Sequence, residues 1–342
     1  MSGHPMTRRR FGHRFASAAP SAPQDRNESR ARIPPSNELV NVLEFDTVAE
    51  TVLPADAYAR IAGSDRTAFD RMTFRQRLMV KATDLDLSME LFGTPMFAPI
   101  LVGPVSGQDA FHPDGELETA RGAAAASATM VVSSRSRHTV AEIAREVPTP
   151  LWFQVYSDEG AETHDRIRAA LDAGVQALCI TRPVGDRGAT GPPIDWSNVD
   201  RLRQDVDIPV LIKGIMSADE ATTAIDAGAQ GIVVSNHGAA SGTGRSVSPI
   251  DALIDVAEVA GSLPLLIDGS FRRGSDILKA LALGAQAVLI ARPAMWGLAA
   301  YGAAGVQAVL ELLYNDLARS MAASGRPTIP MIDRPLVKIH SR

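Results

Sequence analysis

The sequence has very little cysteine, few aromatic residues and no excess of positive charge. One cysteine, Cys179, among 342 residues excludes an intrachain disulfide framework and a cysteine-based zinc site. The net charge of −5 gives no electrostatic basis for binding nucleic acid. No apolar run approaches the roughly 20 residues that span a bilayer, so we expect no membrane partner. With 45% hydrophobic residues, the chain is typical of a cytoplasmic α/β protein.

Residues 1–36 differ in composition from the rest of the chain. They hold seven arginines but only one aspartate and one glutamate, among many Ser, Pro and Ala residues. Such a segment buries too little apolar surface to offset its ordering entropy, so we predict a disordered basic tail. Thr7–Phe11 is similar to the start of a twin-arginine export signal, but no sustained apolar segment follows it. We interpret it as part of the tail or as a relic of export.

From residue 96 onward, short apolar runs alternate with amphipathic, alanine-rich segments. The runs predict eight strands at Met96–Val102, Thr129–Val132, Leu151–Gln154, Ala177–Thr181, Val210–Lys213, Gly231–Ser235, Leu265–Asp268 and Ala287–Ile290. The intervening segments predict helices, among them Leu117–Ala126, Ala161–Ala173, Ala218–Ala227, Pro249–Ala260 and Asp276–Leu283. Strands that alternate with helices pair in parallel and close into a (β/α)8 TIM barrel, which we assign to residues 96–322. An open doubly wound sheet is disfavoured because no G-x-G-x-x-G follows the first strand.

Two further segments flank the predicted barrel. Residues 37–95 predict a helix around Leu43–Ala59 and a short strand pair, which together cap the barrel. Residues 323–342 are assigned to a C-terminal tail.

Polar residues follow almost every predicted strand. In a barrel of this kind the chemistry lies at the carboxyl ends of the strands, and a phosphate commonly binds after the last two. Those two strand ends supply Gly269, Arg272 and Arg292, that is, a closely approaching backbone and two forked cations. The sequence therefore predicts a site for a phosphate monoester.

Several strand-end segments have a distinctive sequence. Val234–Gly238 reads Val-Ser-Asn-His-Gly, Ile267–Arg273 reads Ile-Asp-Gly-Ser-Phe-Arg-Arg, and Phe153–Tyr156 reads Phe-Gln-Val-Tyr. With Ile212–Ile215 and Ala291–Pro293, they resemble the FMN-dependent α-hydroxy-acid oxidase and dehydrogenase family, which includes glycolate oxidase and lactate oxidase. The resemblance covers about residues 39–320 in one collinear order. It implies an oxidoreductase that binds FMN and forms a homo-oligomer.

The resemblance also implies which residues bind the cofactor. Pro104, Val105 and Ser106 would lie along the flavin ring, and Lys213 would stabilise the reduced flavin beside its N1 atom. The other implied cofactor-binding residues are Ser133, Gln154, Thr181, Ser235, Asp268, Gly269, Ser270, Arg272, Ala291 and Arg292.

Two residues match the catalytic positions of that family. His237 would take a proton from the substrate, since an unperturbed pKa of roughly 6.5 keeps histidine available as a base near neutrality. Tyr156 would hydrogen-bond the substrate oxygen. The alternatives are a core histidine satisfied by a backbone carbonyl and a tyrosine packed at the barrel mouth. We expect no metal site, because His112 and Glu116 have no third ligand at a suitable spacing.

The chain departs from the family pattern at three places. Ala240 stands where the family has an arginine that clamps the substrate carboxylate. Thr181 is followed by Arg182 and not by the family's aspartate, which orients the histidine. Only residues 182–195 separate the fourth strand from Trp196, so the loop that folds over the site in the family is nearly absent.

Two arginines occupy positions where the family has other residues. Arg60 falls at a carboxylate-binding tyrosine, and Arg135 falls at an aromatic residue that lines the substrate pocket. Either could supply a relocated anion clamp, because guanidinium binds carboxylate bidentately. A residue at a strand end is held by the barrel, so we expect Arg135 to be the better placed. The alternative for each is an exposed arginine on a loop.

These observations predict an FMN-dependent oxidoreductase that oxidises a C–H bond next to a hydroxyl or amine. The missing clamp and loop suggest a substrate larger than, or different from, a small free 2-hydroxy acid. The electron acceptor stays open among oxygen, a quinone and a carrier protein. The alternative functions are a flavin-binding scaffold whose oxidase chemistry has decayed and a non-redox FMN-dependent isomerase.

Overall fold

The computed structural model describes residues 33–63, 66–75, 84–160, 162–183, 192–204, 206–238 and 247–340. The tail predicted for residues 1–36 lies outside the described residues as far as residue 32. Its last residues belong to a compact unit that begins at Pro34. The Tyr301 hydroxyl donates a hydrogen bond to the Pro34 carbonyl oxygen, and Ser36–Glu38 form a 3-10 helix. The folded unit therefore begins before the expected boundary at residue 36.

Twelve strands occur in the described part of the chain. They are β1 (Met72–Phe74), β2 (Met89–Leu91), β3 (Thr94–Met96), β4 (Ile100–Val102), β5 (Met130–Ser133), β6 (Leu151–Tyr156), β7 (Leu178–Thr181), β8 (Val210–Ile215), β9 (Gly231–Val234), β10 (Leu265–Asp268), β11 (Ala287–Ile290) and β12 (Val337–Ile339). Strands β4 to β11 form a closed parallel barrel in chain order, with β11 beside β4. The predicted TIM barrel is confirmed.

Helices alternate with the barrel strands. The α-helices are α1 (Val42–Val52), α2 (Ala55–Ala59), α3 (Thr67–Asp70), α4 (Gly115–Ala125), α5 (Val140–Glu146), α6 (Glu162–Asp172), α7 (Trp196–Arg203), α8 (Ala218–Asp226), α9 (Pro249–Ala260), α10 (Gly274–Ala282) and α11 (Arg292–Ser324). The one helix expected around Leu43–Ala59 is two, because Leu53 precedes Pro54 and adopts an extended conformation.

The interior of the barrel is filled by alternate residues of its strands. Trp152, Leu211 and Leu289 belong to this inner cluster, which is separate from the larger core between strands and helices. Leu91 and Met96 of the β2–β3 hairpin join the same inner cluster. The hairpin therefore closes the amino-terminal end of the barrel and leaves the carboxyl end for a ligand.

The segment after α11 is not the tail that the sequence suggested. Strand β12 pairs antiparallel with β1. The Arg326 side chain is buried and forms an ion pair with Asp333 at 2.7 Å. Apolar and ionic contacts therefore anchor this segment as far as His340, the last described residue.

Helix α11 is long and apolar enough, by length and composition alone, to cross a membrane. It is interrupted by non-helical dihedral angles at Tyr301 and Gly302, and half of its most apolar stretch is buried. Trp296, Leu310 and Leu317 belong to the main core of the protein. A buried, interrupted helix of this kind is typical of a core helix.

Candidate active site

A cavity of about 650 Å³ opens at the carboxyl ends of the barrel strands. Most of the residues predicted from the sequence line it, namely Arg60, Pro104, Val105, Ser106, Gln154, Tyr156, Thr181, Lys213, His237, Asp268, Gly269, Ser270, Arg272, Ala291 and Arg292. Three predicted residues, Ser133, Arg135 and Ser235, are not part of its wall. The structure thus brings nearly the whole predicted set together around one space.

Lys213, Ser235 and Asp268 form a buried polar network at the ends of β8, β9 and β10. The Lys213 ammonium lies 2.9 Å from Asp268 Oδ2 and donates a hydrogen bond to Ser235 Oγ at 2.9 Å. Ser235 donates in turn to Asp268 Oδ2 at 2.8 Å. Burial opposes the charge on Lys213, but the Asp268 carboxylate prevails and raises the pKa of this lysine. Lys213 therefore presents a fixed positive charge to the cavity.

The backbone holds His237 in an unusual conformation. Its φ of 58° lies in the left-handed region, which non-glycine residues seldom adopt, and its amide donates to Ser235 Oγ at 3.1 Å. The ring packs against Gly214, where an added Cβ would lie 2.7 Å from His237 Nε2. Gly214 therefore leaves the space that the imidazole occupies.

The His237 ring is a neutral base without a protein partner for one nitrogen. Its Nε2 atom is buried and has no hydrogen-bond partner among the described residues, unlike a core histidine satisfied by a carbonyl. Burial, followed by the positive charge of Lys213, lowers its pKa from 6.5 to about 3, and Arg182 acts in the same direction. Asp268 opposes this shift. The ring is therefore unprotonated at neutral pH.

Arg182 occupies the place where the family pattern has an aspartate. Its Nη1 atom donates to Glu220 Oε1 at 2.7 Å, and its Nε atom donates to the Pro192 carbonyl at 3.0 Å. An added Cβ on Gly214 would approach Arg182 Cβ to 2.7 Å, so this arginine flanks the same glycine as His237. The expected loss of the carboxylate is therefore accompanied by a gain of a cation. Residues 184–191 and 239–246, which include Ala240 and Arg245, lie outside the described residues.

Arg272 and Arg292 face each other at the ends of β10 and β11. Arg272 is only 4% exposed, lies 4.4 Å over the Trp296 ring and donates to the Phe271 carbonyl at 2.8 Å. Arg292 donates to the carbonyl oxygens of Gly63 and Gly238. Within the described ranges neither side chain forms an ion pair, and Arg272 Nε is buried without a partner. One buried and one half-buried cation, neither with an ion pair among the described residues, form a pattern that a phosphate group satisfies.

Burial destabilises the charges of these two arginines more than the nearby carboxylates of Asp46 and Asp268 stabilise them. Burial, followed by repulsion from Arg292, lowers the pKa of Arg272 to about 9. Burial also lowers the pKa of Arg292. Gly238 and Gly269 leave room beside them, since an added Cβ would lie 2.8 Å from Arg292 Nη2 and 3.0 Å from Pro249, respectively. A bound phosphate would relieve the repulsion, and the residues present therefore fit FMN.

Arg60 and Arg135 differ in their position relative to the cavity. Arg60 lines the cavity, donates to the Ser106 carbonyl at 3.1 Å and has no ion-pair partner in the described part of the chain. Arg135 is absent from the cavity wall, and its guanidinium lies 3.7 Å from the centroid of the Tyr156 ring. The cavity wall therefore includes Arg60 and not Arg135, and the anion-clamp role of either arginine stays a prediction.

Some residues of the site were not found from the sequence. Phe111 and Asn236 line the cavity, and Glu159 and Glu220 bind arginines at its edge. Asn236 lies between two predicted site residues, and its place after a barrel strand could have identified it. Glu220 is the third residue of α8 and resembles an ordinary first-turn acid, so its bond to the arginine leaves no sequence signal.

Comparison with known proteins shows which family the sequence matches. The sequence matches the family model described as FMN-dependent dehydrogenase, over residues 56–185 and 185–339. It is 35% identical to the peroxisomal (S)-2-hydroxyacid oxidase of Arabidopsis thaliana over 88% of this chain and 97% of that relative. It is 34% identical to the 4-hydroxymandelate oxidase of Amycolatopsis orientalis, covering 84% of this chain and 94% of the other.

Solved structures agree with the sequence relatives. A crystal structure of mandelate oxidase with (S)-2-phenylpropionate superposes with a TM-score of 0.81 and 33% identity, covering 89% of this chain and all of the other. The chain belongs to the FMN-dependent α-hydroxy-acid oxidase and dehydrogenase family, and it is an FMN flavoprotein and an oxidoreductase. The family match divides at residue 185, inside the segment after β7 that the sequence shows to be short.

Proposed function

We propose that the protein oxidises the carbon that bears the hydroxyl of a hydroxy acid larger than, or different from, glycolate and lactate. The family establishes oxidation of a carbon next to a hydroxyl. The relatives' names include 2-hydroxyacid, lactate and hydroxymandelate oxidases. An anionic substrate fits a cavity whose described wall holds Arg60, Lys213 and Arg292 but a single carboxylate, Asp268.

The unpartnered Nε2 atom of His237 is the observation that carries the proposal. FMN, when bound, would supply the acceptor for the two electrons and one of the two protons that the substrate loses. His237 would accept the other proton, and the product is a carbonyl compound. Lys213 lies close enough to depress the basicity of His237, whereas a substrate carboxylate would raise it again. The ring therefore becomes a better base when an anion is bound beside it.

Arg60 is the residue that we assign to the substrate carboxylate. It lines the cavity, and its charge is not neutralised by any described acid. Ala240 cannot bind a carboxylate, so a small acid such as glycolate loses one of the contacts that the family provides. A larger substrate gains apolar contacts instead, for example with Phe111, over whose ring the Arg60 guanidinium lies at 5.0 Å.

Replacing His237 with alanine tests the proposal. We expect anaerobic bleaching of the flavin by substrate to slow by about 10²–10⁴-fold, the usual effect of removing a general base. The absorption spectrum of bound FMN should stay unchanged. The substrates are a panel of 2-hydroxy acids of increasing size, in which glycolate, lactate and mandelate should be poor.

Two outcomes would contradict the proposal. Bleaching of His237→Ala at the parental rate would place proton abstraction elsewhere. Bleaching of the parent by no hydroxy acid in the panel would favour the scaffold or the isomerase alternative. Arg137→Ala is a suitable control, since this exposed arginine lies 4.0 Å from Asp109.

A further inference from the structure

Arg135 is held by a buried carboxylate next to the active site. Its Nε atom donates to Glu159 Oε1 at 3.2 Å, and the Ser134 hydroxyl donates to the same oxygen at 2.8 Å. The Glu159 side chain is 9% exposed, against 48% for Arg135. Glu159 Oε2 is buried with no hydrogen-bond partner among the described residues. Arg135 therefore compensates a carboxylate that is costly to bury alone.

The turn that carries Glu159 is itself fixed. The Glu159 amide donates to the Tyr156 carbonyl at 3.2 Å, which closes a turn directly after β6. Asn198, at the start of α7, donates to the carbonyl oxygens of Ser157 at 2.7 Å and Glu159 at 3.3 Å. At the other end, the Arg135 amide donates to Ser133 Oγ at 3.2 Å. Both partners of the ion pair are thus attached to strand ends of the barrel.

The Arg135 guanidinium, held in place by Glu159, covers one face of the Tyr156 ring. A planar cation is attracted to the negative face of an aromatic ring and stacks on it. At 3.7 Å from the centroid, the Arg135 guanidinium leaves the ring little freedom to tilt. Tyr156 lines the cavity, whereas Arg135 is absent from its wall. Tyr156 can therefore contact a substrate in the cavity, whereas Arg135 lies behind it.

We propose that Arg135, anchored by Glu159, is a positioning residue that fixes the direction of the Tyr156 hydroxyl and does not bind the substrate anion. The inference rests on the proposed function in one respect, namely that the Tyr156 hydroxyl contacts the substrate. Arg135 already has a carboxylate partner, so a substrate carboxylate would have to compete with a buried one. Arg60 has no carboxylate partner among the residues that the structure describes, and it remains the arginine that we assign to the anion.

Fluorine NMR tests the positioning without any need for turnover. The chain has only four tyrosines, so holoenzyme labelled with 3-fluorotyrosine gives four resonances, and Tyr156→Phe identifies the relevant one. Arg135→Leu and Glu159→Gln should both shift or broaden the Tyr156 resonance. Asp158→Asn is the matched control, since this exposed neighbour lies 4.0 Å from Arg135. An unmoved resonance in Arg135→Leu, or an equal shift in Asp158→Asn, would overturn the proposal.

Kinetics and ligand binding distinguish positioning from anion binding. For anaerobic flavin reduction by the hydroxy acid of the panel that reduces the parental flavin fastest, Arg135→Leu should lower the limiting rate about tenfold, while the dissociation constant of oxalate changes less than about twofold. Arg135→Lys should not rescue the rate, because lysine keeps the charge but not the stacking plane. In a Tyr156→Phe background, Arg135→Leu should have no further effect. Arg137→Leu, on the same loop, should leave both quantities unchanged.

The opposite pattern would overturn the inference. A tenfold weaker oxalate complex in Arg135→Leu, restored by Arg135→Lys, would show that Arg135 binds the anion as a point charge. If mandelate and larger hydroxy acids do not reduce the parental flavin, the proposed function fails. The fluorine resonances still decide the positioning in that case, so the two failures are distinguishable.

Discussion

Two pairs of arginines flank the cavity and differ in what compensates their charge. Arg272 and Arg292, at the ends of the last two strands, bond to backbone carbonyls and repel each other. Arg135 and Arg182, after β5 and β7, are each paired with a glutamate of a neighbouring element. The first pair is arranged to receive an anion, whereas the second already has one from the protein. The presence or absence of a carboxylate partner therefore distinguishes the positioning arginines from the ligand-binding arginines.

Arg60 is the exception that makes the comparison useful. It lines the cavity, and it has no ion-pair partner within the described residues, like Arg272 and Arg292. The place of Arg135 at a strand end favoured it as the anion clamp. Arg135 is paired with Glu159, however, whereas Arg60 has no carboxylate partner among the described residues, and this difference favours Arg60. The four predictions below test this distinction.

The largest effect is expected for Lys213, a cation that a buried aspartate compensates. Lys213→Met leaves the Asp268 carboxylate without its cation and should lower the free energy of unfolding by about 3–5 kcal/mol. Chemical denaturation measures this loss. Lys338→Met on β12, where the lysine is exposed, should change stability by less than about 0.5 kcal/mol. Equal losses in the two variants would mean that the ion pair contributes nothing.

The uncompensated pair should affect the cofactor instead. Arg272→Ala or Arg292→Ala should weaken FMN binding by about 1.5–3 kcal/mol, the usual contribution of a hydrogen bond to a charged group. Titrating the apoprotein with FMN, followed by fluorescence, measures the change. Riboflavin lacks the phosphate and serves as the control, since its affinity should not fall. If both ligands lose affinity equally, the arginines do not bind the phosphate.

The cationic surroundings of His237 should appear in the pH dependence of stability. The unfolded chain binds a proton at this histidine below pH 6.5, whereas the folded chain does not until about pH 3. Stability should therefore fall as pH drops from 6.5, with His237 responsible for about 2 kcal/mol at pH 5. Denaturation of the parent and of His237→Asn at several pH values isolates this contribution. Parallel curves would show that His237 has an ordinary pKa.

The smallest effect is expected for Arg60. Arg60→Leu should weaken oxalate binding to the holoenzyme about tenfold, or about 1.4 kcal/mol, because the lost cation is exposed and solvated. Flavin absorbance during titration measures the affinity. Arg60→Lys should retain part of it. A larger loss in Arg135→Leu than in Arg60→Leu would reverse the assignment of the two arginines.

The barrel could be predicted from the sequence because its strands are short apolar runs between regular helices. Leu265–Asp268 and Ala287–Ile290 have the predicted bounds, and the polar residues after them line the cavity. Helices α5 and α7 are implied by the barrel, but their bounds were not predicted. They are short, and α7 follows a segment with an unusual length between strands, so hydrophobic periodicity gave a weak signal.

The ion pairs at the cavity edge could not be predicted from the sequence. The partners of Arg135 and Arg182 lie 24 and 38 residues away and come from different elements. Only the folded backbone shows that these two arginines are compensated while Arg60 is not. The anchoring of the C-terminal segment was missed for the same reason, since β12 pairs with β1 across most of the chain.

The position of Arg292 has a consequence for the lifetime of the protein. Arg292 is the first residue of α11, which packs against α1, α4 and α10. A phosphate bound there contacts the end of an element on which much of the outer shell depends. A ligand that binds only the folded chain stabilises it by about 2.7 kcal/mol at one hundred times its dissociation constant. The holoprotein should therefore unfold less readily than the apoprotein.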